Sequence, residues 1–155
     1  MKELCDIIFI ASSIGILYMN NLIRALTQKG SIMGQFLVKK TNTGVKFDLL
    51  ADDAKVVATS EVYKTEASCI GGVKSVMNNA PAANVEDQTV DGFEAVKHPK
   101  FELYSDKSGD FRFRLKAKNG EIIATSSAYK DKAAALEAIE CAKKSADGAQ
   151  IVKAE

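Results

Sequence analysis

Two sets of residues in this chain have types and spacings suited to chemistry, and both would bind a ligand rather than transform one. The first set is a run of basic residues alternating with apolar ones: Arg112, Arg114, Lys116 and Lys118. Residues two apart on a β-strand share one face, so these cations would form a stripe able to contact phosphate groups. No aromatic residue is interleaved on that face to stack on bases, so a solvated outer face is the competing interpretation.

The second set is a doubled motif, Thr-Ser-x-x-Tyr-Lys. It comprises Thr59, Ser60, Tyr63 and Lys64 in one place and Thr125, Ser126, Tyr129 and Lys130 in another. Each motif stands where a strand is expected to pass into a helix. The hydroxyls could satisfy backbone groups near the helix start while the tyrosine covers the edge of the core. The alternative is a pair of symmetric anion or peptide pockets, because a helix start offers free N–H groups.

Residues that would support catalysis or metal binding are few and dispersed. The one histidine, His98, precedes a proline, and the three cysteines are Cys5, Cys69 and Cys141. A catalytic triad or a zinc site needs several such groups close together. We therefore expect no catalytic, metal-binding or cofactor-binding residue, and a protein that is not an enzyme.

Both sets belong to a long internal repeat. Residues 36–80 and 101–146 align with one insertion, Asp110. Such duplication indicates one supersecondary unit used twice. In the second copy, apolar and basic residues alternate from Phe111 onwards, which predicts a strand. Asn119-Gly120 then favours a type I′ hairpin. Asp52-Asp53 is expected to form the matching turn in the first copy.

A helix and a short final strand follow in each copy. Thr65 and Asp131 are the expected N-caps. Apolar residues three or four apart predict one buried face on each helix: Ala67, Ile70, Val73, Val76, Met77 and Ala80, then Ala133, Leu136, Ile139, Ala142 and Ala146. Gly71-Gly72 should weaken the first helix by about 1 kcal/mol per glycine relative to alanine.

These patterns resemble the YegP-like family of small bacterial tandem-repeat proteins. The resemblance covers residues 33–155 and is carried by segments such as 113–117, 119–121, 124–126 and 58–61. It implies an α+β fold in which tandem β-β-β-α-β repeats form one shared antiparallel sheet with two helices and exchanged C-terminal strands. It implies no activity, because the family is uncharacterised. A unit of about 50 residues also buries too little core to be comfortable alone, which independently favours an interlocked pair.

The domain organisation follows from the repeat. We expect repeat 1 at residues 33–90, a linker at 91–97 and repeat 2 at 98–155, with both repeats in one compact domain. Residues 1–32 have no counterpart and are uncharged from Ile7 to Ile23. Three explanations stay open for this apolar extension: a mis-assigned start before Met33, a signal peptide or anchor, or an apolar helix docked on the repeats.

The net charge of +1 predicts no global attraction to nucleic acid or anionic membrane. We therefore expect a non-catalytic binding or structural module in the cytoplasm, unless residues 1–32 export or anchor it. Its partners are unknown, with a protein or nucleic acid as candidates, and membrane contact would require a genuine apolar segment at 7–23. The alternative function is weak nucleic-acid or anion binding through the basic strand of repeat 2.

Overall fold

The computed structural model describes residues 34–154, so the predictions for residues 1–32 lie outside the described residues. The first copy contains β1 (Gln35–Thr41), β2 (Gly44–Leu50), β3 (Val56–Thr59), α1 (Glu66–Asn79) and β4 (Asn84–Asp87). The second copy contains β5 (Lys100–Ser105), β6 (Phe111–Lys116), β7 (Ile122–Thr125), α2 (Lys132–Ala146) and β8 (Gln150–Lys153). The order β-β-β-α-β is therefore the same in the two copies.

All eight strands form one sheet in the order β4-β5-β6-β7-β3-β2-β1-β8. The α+β class, with two helices and one sheet, is confirmed. The sheet is mixed rather than wholly antiparallel, because β4 runs parallel to β5 and β8 runs parallel to β1. Parallel neighbours cannot be joined by a tight hairpin, and residues 88–99 supply the longer connection that β4 and β5 require.

The two helices carry the chain from one half of the sheet to the other. Helix α1 begins at Glu66, which contacts Lys153 on β8, and ends at Asn79, whose side chain accepts a hydrogen bond from the Lys118 backbone N–H. Helix α2 begins at Lys132, which contacts Asp87 on β4. Helix α1 therefore ends beside the turn that follows β6 of the other copy, and α2 ends with Ser145 close to Gly34, which precedes β1.

The core lies between the helices and one face of the sheet. Four phenylalanines are completely buried there, and they form two edge-to-face pairs: Phe36 with Phe47 and Phe101 with Phe113, with ring centroids 5.5 and 5.7 Å apart. The buried face of α1 is centred on Cys69 and Val73, whereas Ala67 is exposed. On α2, Ala133 and Leu136 are likewise exposed, and the buried face begins instead at Ala135. The prediction for the beginnings of the two helices was wrong because apolar residues occur there on more than one face.

The helix caps and turns follow the expected positions with two changes of detail. Thr65 caps α1 by accepting a hydrogen bond from the Ser68 N–H at 3.2 Å, but Asp131 at the start of α2 makes no such side-chain bond. The hairpin after β6 is not type I′, because φ is positive at Gly120 (83°) but not at Asn119. A turn followed by one left-handed glycine creates a bulge, which is seen as a register shift at Leu115.

The first copy builds the same turn with a residue less suited to it. Ala54 occupies the place of Gly120 and has a φ of 62°. Its N–H donates to the Ala51 carbonyl at 2.9 Å, as the Gly120 N–H does to Ala117. Within residues 34–154, neither helix has the length and apolar character needed to cross a bilayer.

Candidate interaction surface

One continuous row of side chains crosses all eight strands on the sheet face opposite the helices. The pairing register places in this outer row Glu86, Glu102, Arg114, Thr125, Thr59, Asp48, Leu37 and Val152, in that order. The row is charged where it begins on β4, carries hydroxyl groups at the centre, has one further carboxylate at Asp48, which pairs with Lys39, and is apolar at its last two residues on β1 and β8. The two halves of the sheet therefore share a fold but present different outer chemistry.

The charged end of the outer row is a buried ion-pair network centred on Glu102, which is 2% exposed. Its carboxylate accepts one hydrogen bond from Arg114 Nε at 2.5 Å and lies 2.9 Å from Lys116 Nζ. Lys100 Nζ bridges Glu102 at 3.1 Å and Glu86 at 2.6 Å. Burial opposes ionisation of Glu102, but the hydrogen bonds from Lys116, Arg114 and Lys100 prevail and lower its pKa to about 2.

The connection between the two copies lies over this charged end. Glu86 Oε2 accepts a hydrogen bond from the Val96 N–H at 2.9 Å, and Glu86 Oε1 accepts one from Gln88 Nε2 at 2.7 Å. The Asn84 side chain donates to the Lys97 carbonyl at 3.4 Å. Burial raises the pKa of Glu86, yet the hydrogen bonds from Lys100 and Gln88 hold it below its ordinary value. The carboxylates are thus shielded and fully partnered.

The apolar end of the outer row has no such cover among the described residues. By the repeat alignment, Leu37 and Leu50 stand where Glu102 and Lys116 stand in the other half, and Val152 stands where Glu86 does. Val152 is 37% exposed, and all four residues of β8 are exposed, whereas β4 is mostly half-buried or buried. We call β8, together with Leu37 on the adjacent strand β1 and Leu50 on β2, the open edge.

The predicted basic stripe is largely neutralised by carboxylates of the neighbouring strand and turn. Arg114 and Lys116 belong to the Glu102 network, and Arg112 Nε donates to Asp106 at 2.8 Å. Lys118 is exposed and lies in the turn beyond β6, outside the ion pairs of the described residues. The sequence prediction missed the partners of these cations, although the alternation of Glu102 with Phe101 and Leu103 could have placed that carboxylate on the same face.

The serines of the doubled motif are bonded in the same way in both copies. The Ser60 hydroxyl accepts from the Phe47 N–H at 2.9 Å and donates to the Glu61 carbonyl at 2.7 Å, and Ser126 makes the equivalent bonds with Phe113 and Ser127 at 2.9 and 2.8 Å. Thr59 and Thr125 lie opposite each other where the two halves meet. The serines therefore fix the backbone where each strand leads towards the following helix. The interpretation of the motif as a pair of anion pockets stays a prediction.

The remaining residues of the motif support the core edge or lie on the surface. Tyr63 stacks on Phe47 and Tyr129 on Phe113, with centroids 6.3 and 6.4 Å apart, and burial raises the pKa of both tyrosines. Lys130 Nζ pairs with Asp110 at 2.7 Å, and Lys64 is exposed. This arrangement suits support of the core better than it suits capture of a ligand.

A groove of about 290 Å³ lies between the β2–β3 hairpin and α2. Val56, Tyr129 and Cys141 are among the residues that line it. Cys69 and Cys141 are free thiols, and burial raises the pKa of Cys69. Across residues 34–154 there is no group of three or more side chains placed to hold a metal ion.

Two copies of one β-β-β-α-β unit that share a single sheet define a tandem-repeat α+β protein. The chain belongs to the family described as Domain of unknown function (DUF1508), whose model matches residues 41–87 and 106–152. The resemblance to the YegP-like family is thereby confirmed, together with the internal duplication.

The relatives include both two-repeat and single-repeat lengths. A UPF0339 protein of Photorhabdus laumondii is 32% identical over 111 residues, covering 71% of this chain and 84% of that protein. A UPF0339 protein of Treponema denticola is 56% identical over 54 residues, which is 35% of this chain but 93% of that protein. The solution structure of yegP from E. coli, a protein of unknown function, is 26% identical with a TM-score of 0.64, covering 80% of this chain and 96% of that one.

Proposed function

We propose that this protein is a non-catalytic interaction module that binds an extended protein segment along the open edge. The observation that carries the proposal is the difference between the two ends of the outer row. The end on β4 is charged, internally paired and covered by residues 88–99. The end on β8 is apolar and exposed, although the underlying fold is the same. An exposed sheet edge beside apolar side chains is the surface that strand addition uses.

Backbone geometry supports the same surface. Gln150 and Ala154 donate their N–H groups to β1, at 3.1 Å to Gly34 and 2.8 Å to Val38. Successive residues of a strand point their backbone groups to opposite sides. The N–H and C=O groups of Val152 therefore also point towards β1, whereas those of Ile151 and Lys153 point away from it. An incoming strand would satisfy these outward groups. Its side chains would extend the apolar surface that Leu37 and Val152 begin.

The nucleic-acid alternative draws less support from the contacts. A phosphate-binding stripe needs cations that are free to exchange counterions for phosphate. Arg112, Arg114 and Lys116 are instead within ion-pair distance of Asp106 and Glu102. A cytoplasmic location is part of the proposal, because the free thiols Cys69 and Cys141 suit a reducing compartment.

The proposal can be tested with a matched pair of variants at one residue. Lys153→Pro removes an outward N–H from the open edge without removing a bond to β1, and Lys153→Ala removes the same side chain but keeps the N–H. The full chain, immobilised, is used to select peptides from a random display library. We expect selected peptides with alternating apolar residues to bind the original protein and Lys153→Ala but not Lys153→Pro. Failure of a monomeric full chain to select any peptide, or equal binding to both variants, contradicts the proposal.

A further inference from the structure

The open edge has a hydrogen-bonding register that matches its own antiparallel copy. The outward N–H and C=O groups of β8 belong to Ile151 and Lys153, on either side of Val152. When two β8 strands run antiparallel about an axis through Val152, Ile151 of each copy lies opposite Lys153 of the other. In an antiparallel pair, two residues that lie directly opposite each other can exchange both of their backbone hydrogen bonds, and Ile151 and Lys153 would do so here. All outward groups of the strand then find partners.

Side-chain directions agree with this register. Opposed residues in an antiparallel pair must lie on one face of the sheet, and Ile151 and Lys153 both face the helix side. The two Val152 side chains would meet on the outer face, where each has Leu37 beside it. The two outer rows would then join at their apolar ends. The Lys153 ammonium groups are already paired with Glu66 of their own chain, so no like charges stand opposite each other.

The opposite edge of the sheet does not offer this match. Glu86 holds the place on β4 that Val152 holds on β8, so the same pairing of two β4 strands would bring one Glu86 against another. Pairing β4 with β8 of another copy would set Glu86 against Val152 and would break the cover formed by residues 88–99. Only the β8 edge is self-complementary, and a two-fold contact of this kind closes after two chains.

We infer that the protein segment bound at the open edge is β8 of a second copy of this chain, in an antiparallel register centred on Val152. The inference rests on the interaction function proposed above and names the partner of that surface. The product is a two-fold dimer with one continuous sheet across both chains and an apolar strip at its centre.

The test is the mass of the full chain in solution, measured by sedimentation, for the original protein and three variants. Val152→Lys and Val152→Glu each place like charges opposite each other at the axis. We expect each alone to lose the dimer, and an equimolar mixture to regain it as a heterodimer. Gln150→Lys is the control, because residue 150 would lie opposite Ala154 and not opposite itself. It should leave the dimer intact.

A covalent readout checks the register independently. Opposed residues that do not exchange backbone bonds have Cα atoms about 4.5 Å apart, within the range of a disulfide. Val152→Cys should therefore oxidise to a cross-linked dimer, whereas Ile151→Cys, which faces Lys153 of the second copy, should do so far less. Both variants contain the same three native cysteines, so those thiols contribute equally to the background.

The outcomes separate this inference from the function on which it rests. A monomeric full chain that still binds selected peptides overturns the second copy as partner and leaves the interaction function standing. A monomeric chain that binds no peptide contradicts both the inferred partner and the proposed interaction function. A dimer that persists in Val152→Lys and Val152→Glu alike places the contact elsewhere and overturns the inference. Circular dichroism of each variant, with recovery on mixing, shows that a lost dimer is not a lost fold.

Discussion

The hydroxyl of Tyr63 lies against the backbone of Gly72 on α1. A Cβ added at residue 72 would stand 2.2 Å from the tyrosine oxygen and 3.2 Å from Cε1 of Phe47. A contact as short as 2.2 Å does not occur between real side chains, so Tyr63 can hold this position against α1 because residue 72 has no Cβ. Gly71, one residue earlier, has no heavy atom within 4 Å of the equivalent position.

The two neighbouring glycines should therefore respond in opposite ways to alanine. Gly71→Ala removes backbone freedom without a clash and should stabilise the protein by about 1 kcal/mol. Gly72→Ala forces Tyr63 and Phe47 to move and should cost about 1–3 kcal/mol despite the same gain in helix propensity. Urea unfolding of the full chain measures both. A similar change of stability in the two variants would show that the tyrosine contact does not constrain the helix.

Gly71 and Gly72 also show which properties of α1 can be predicted from the sequence and which cannot. Helix propensity is a local property, so the prediction that both glycines weaken α1 was available from the sequence. The different roles of Gly71 and Gly72 depend on where Tyr63 lies, which is set by tertiary packing. The alternating phenylalanines predicted the core strands correctly for the converse reason: a period of two needs no knowledge of distant residues.

The same limit applies to the candidate surface. The sequence identified the basic residues of β6 but not the carboxylate of Glu102 that pairs with Arg114 and Lys116, because strand register brings that contact together. The open edge could not be located from the sequence. Its exposure depends on which strands lie at the ends of the sheet, and on a connection that covers one end but, within residues 34–154, not the other.

The equivalent hairpin turns provide a second matched pair. Gly120 and Ala54 both have positive φ, at 83° and 62°, a region that costs a residue with a Cβ roughly 1 kcal/mol or more. Ala54→Gly should therefore stabilise the protein by up to about 1 kcal/mol, and Gly120→Ala should destabilise it by about the same amount. Thermal unfolding of both variants gives the comparison. Two shifts of equal sign would contradict the shared turn geometry.

The Glu102 network predicts a specific dependence of stability on pH. The pKa of Glu102 falls from 4.5 to about 2 on folding, so its contribution is present above pH 4.5 and is lost as the pH falls towards 2. The shift corresponds to a free energy on the order of 3 kcal/mol. Glu102→Gln should lower stability at neutral pH and flatten the acid dependence between those limits. Urea unfolding at several pH values checks this, and an unchanged acid slope would contradict it.

The charges at the ends of β4 and β8 favour the half of the sheet that each strand joins. Asp87 on β4 lies 2.5 Å from Lys132 at the start of α2, whereas Lys153 on β8 contacts Glu66 at the start of α1. The lysine lies on the helix in one contact and on the strand in the other. If each final strand paired within its own copy, Asp87 would approach Glu66 and Lys153 would approach Lys132. Like charges would then oppose that arrangement.

Exchanging the two strand charges tests which arrangement the chain adopts. The double variant Asp87→Lys/Lys153→Asp creates like charges at both contacts of the observed fold, so it should be less stable, most clearly at low salt. The same substitutions would stabilise a fold in which each copy kept its own final strand. Adding Glu66→Lys and Lys132→Glu should restore the lost stability. An increase in stability of the double variant, measured by urea unfolding, would exclude the observed pairing.

The last prediction concerns a single repeat. A fragment of residues 98–155 contains β5 but lacks β4, the strand that borders β5 in the sheet. Without β4, Lys100 and Glu102 lose Glu86 and the cover formed by residues 88–99. A second copy of the fragment could offer only β8, which would place Val152 where Glu86 belongs and Lys153 near Lys132. The relative of nearly one-repeat length from Treponema denticola shows that single units occur in this family.

We therefore expect residues 98–155 alone to be unfolded, or at most to homodimerise, and to fold when residues 33–97 are added in equal amount. The added fragment brings β4 with its acidic side chains and accepts β8 beside β1, so both halves of the sheet are completed together. Proton–nitrogen NMR spectra of each fragment and of the mixture decide the matter. A well-dispersed spectrum of monomeric residues 98–155 would show that one repeat closes its own core. The interlocked sheet would then not be a requirement for stability, because exchange is needed only if neither unit can complete its edge by itself.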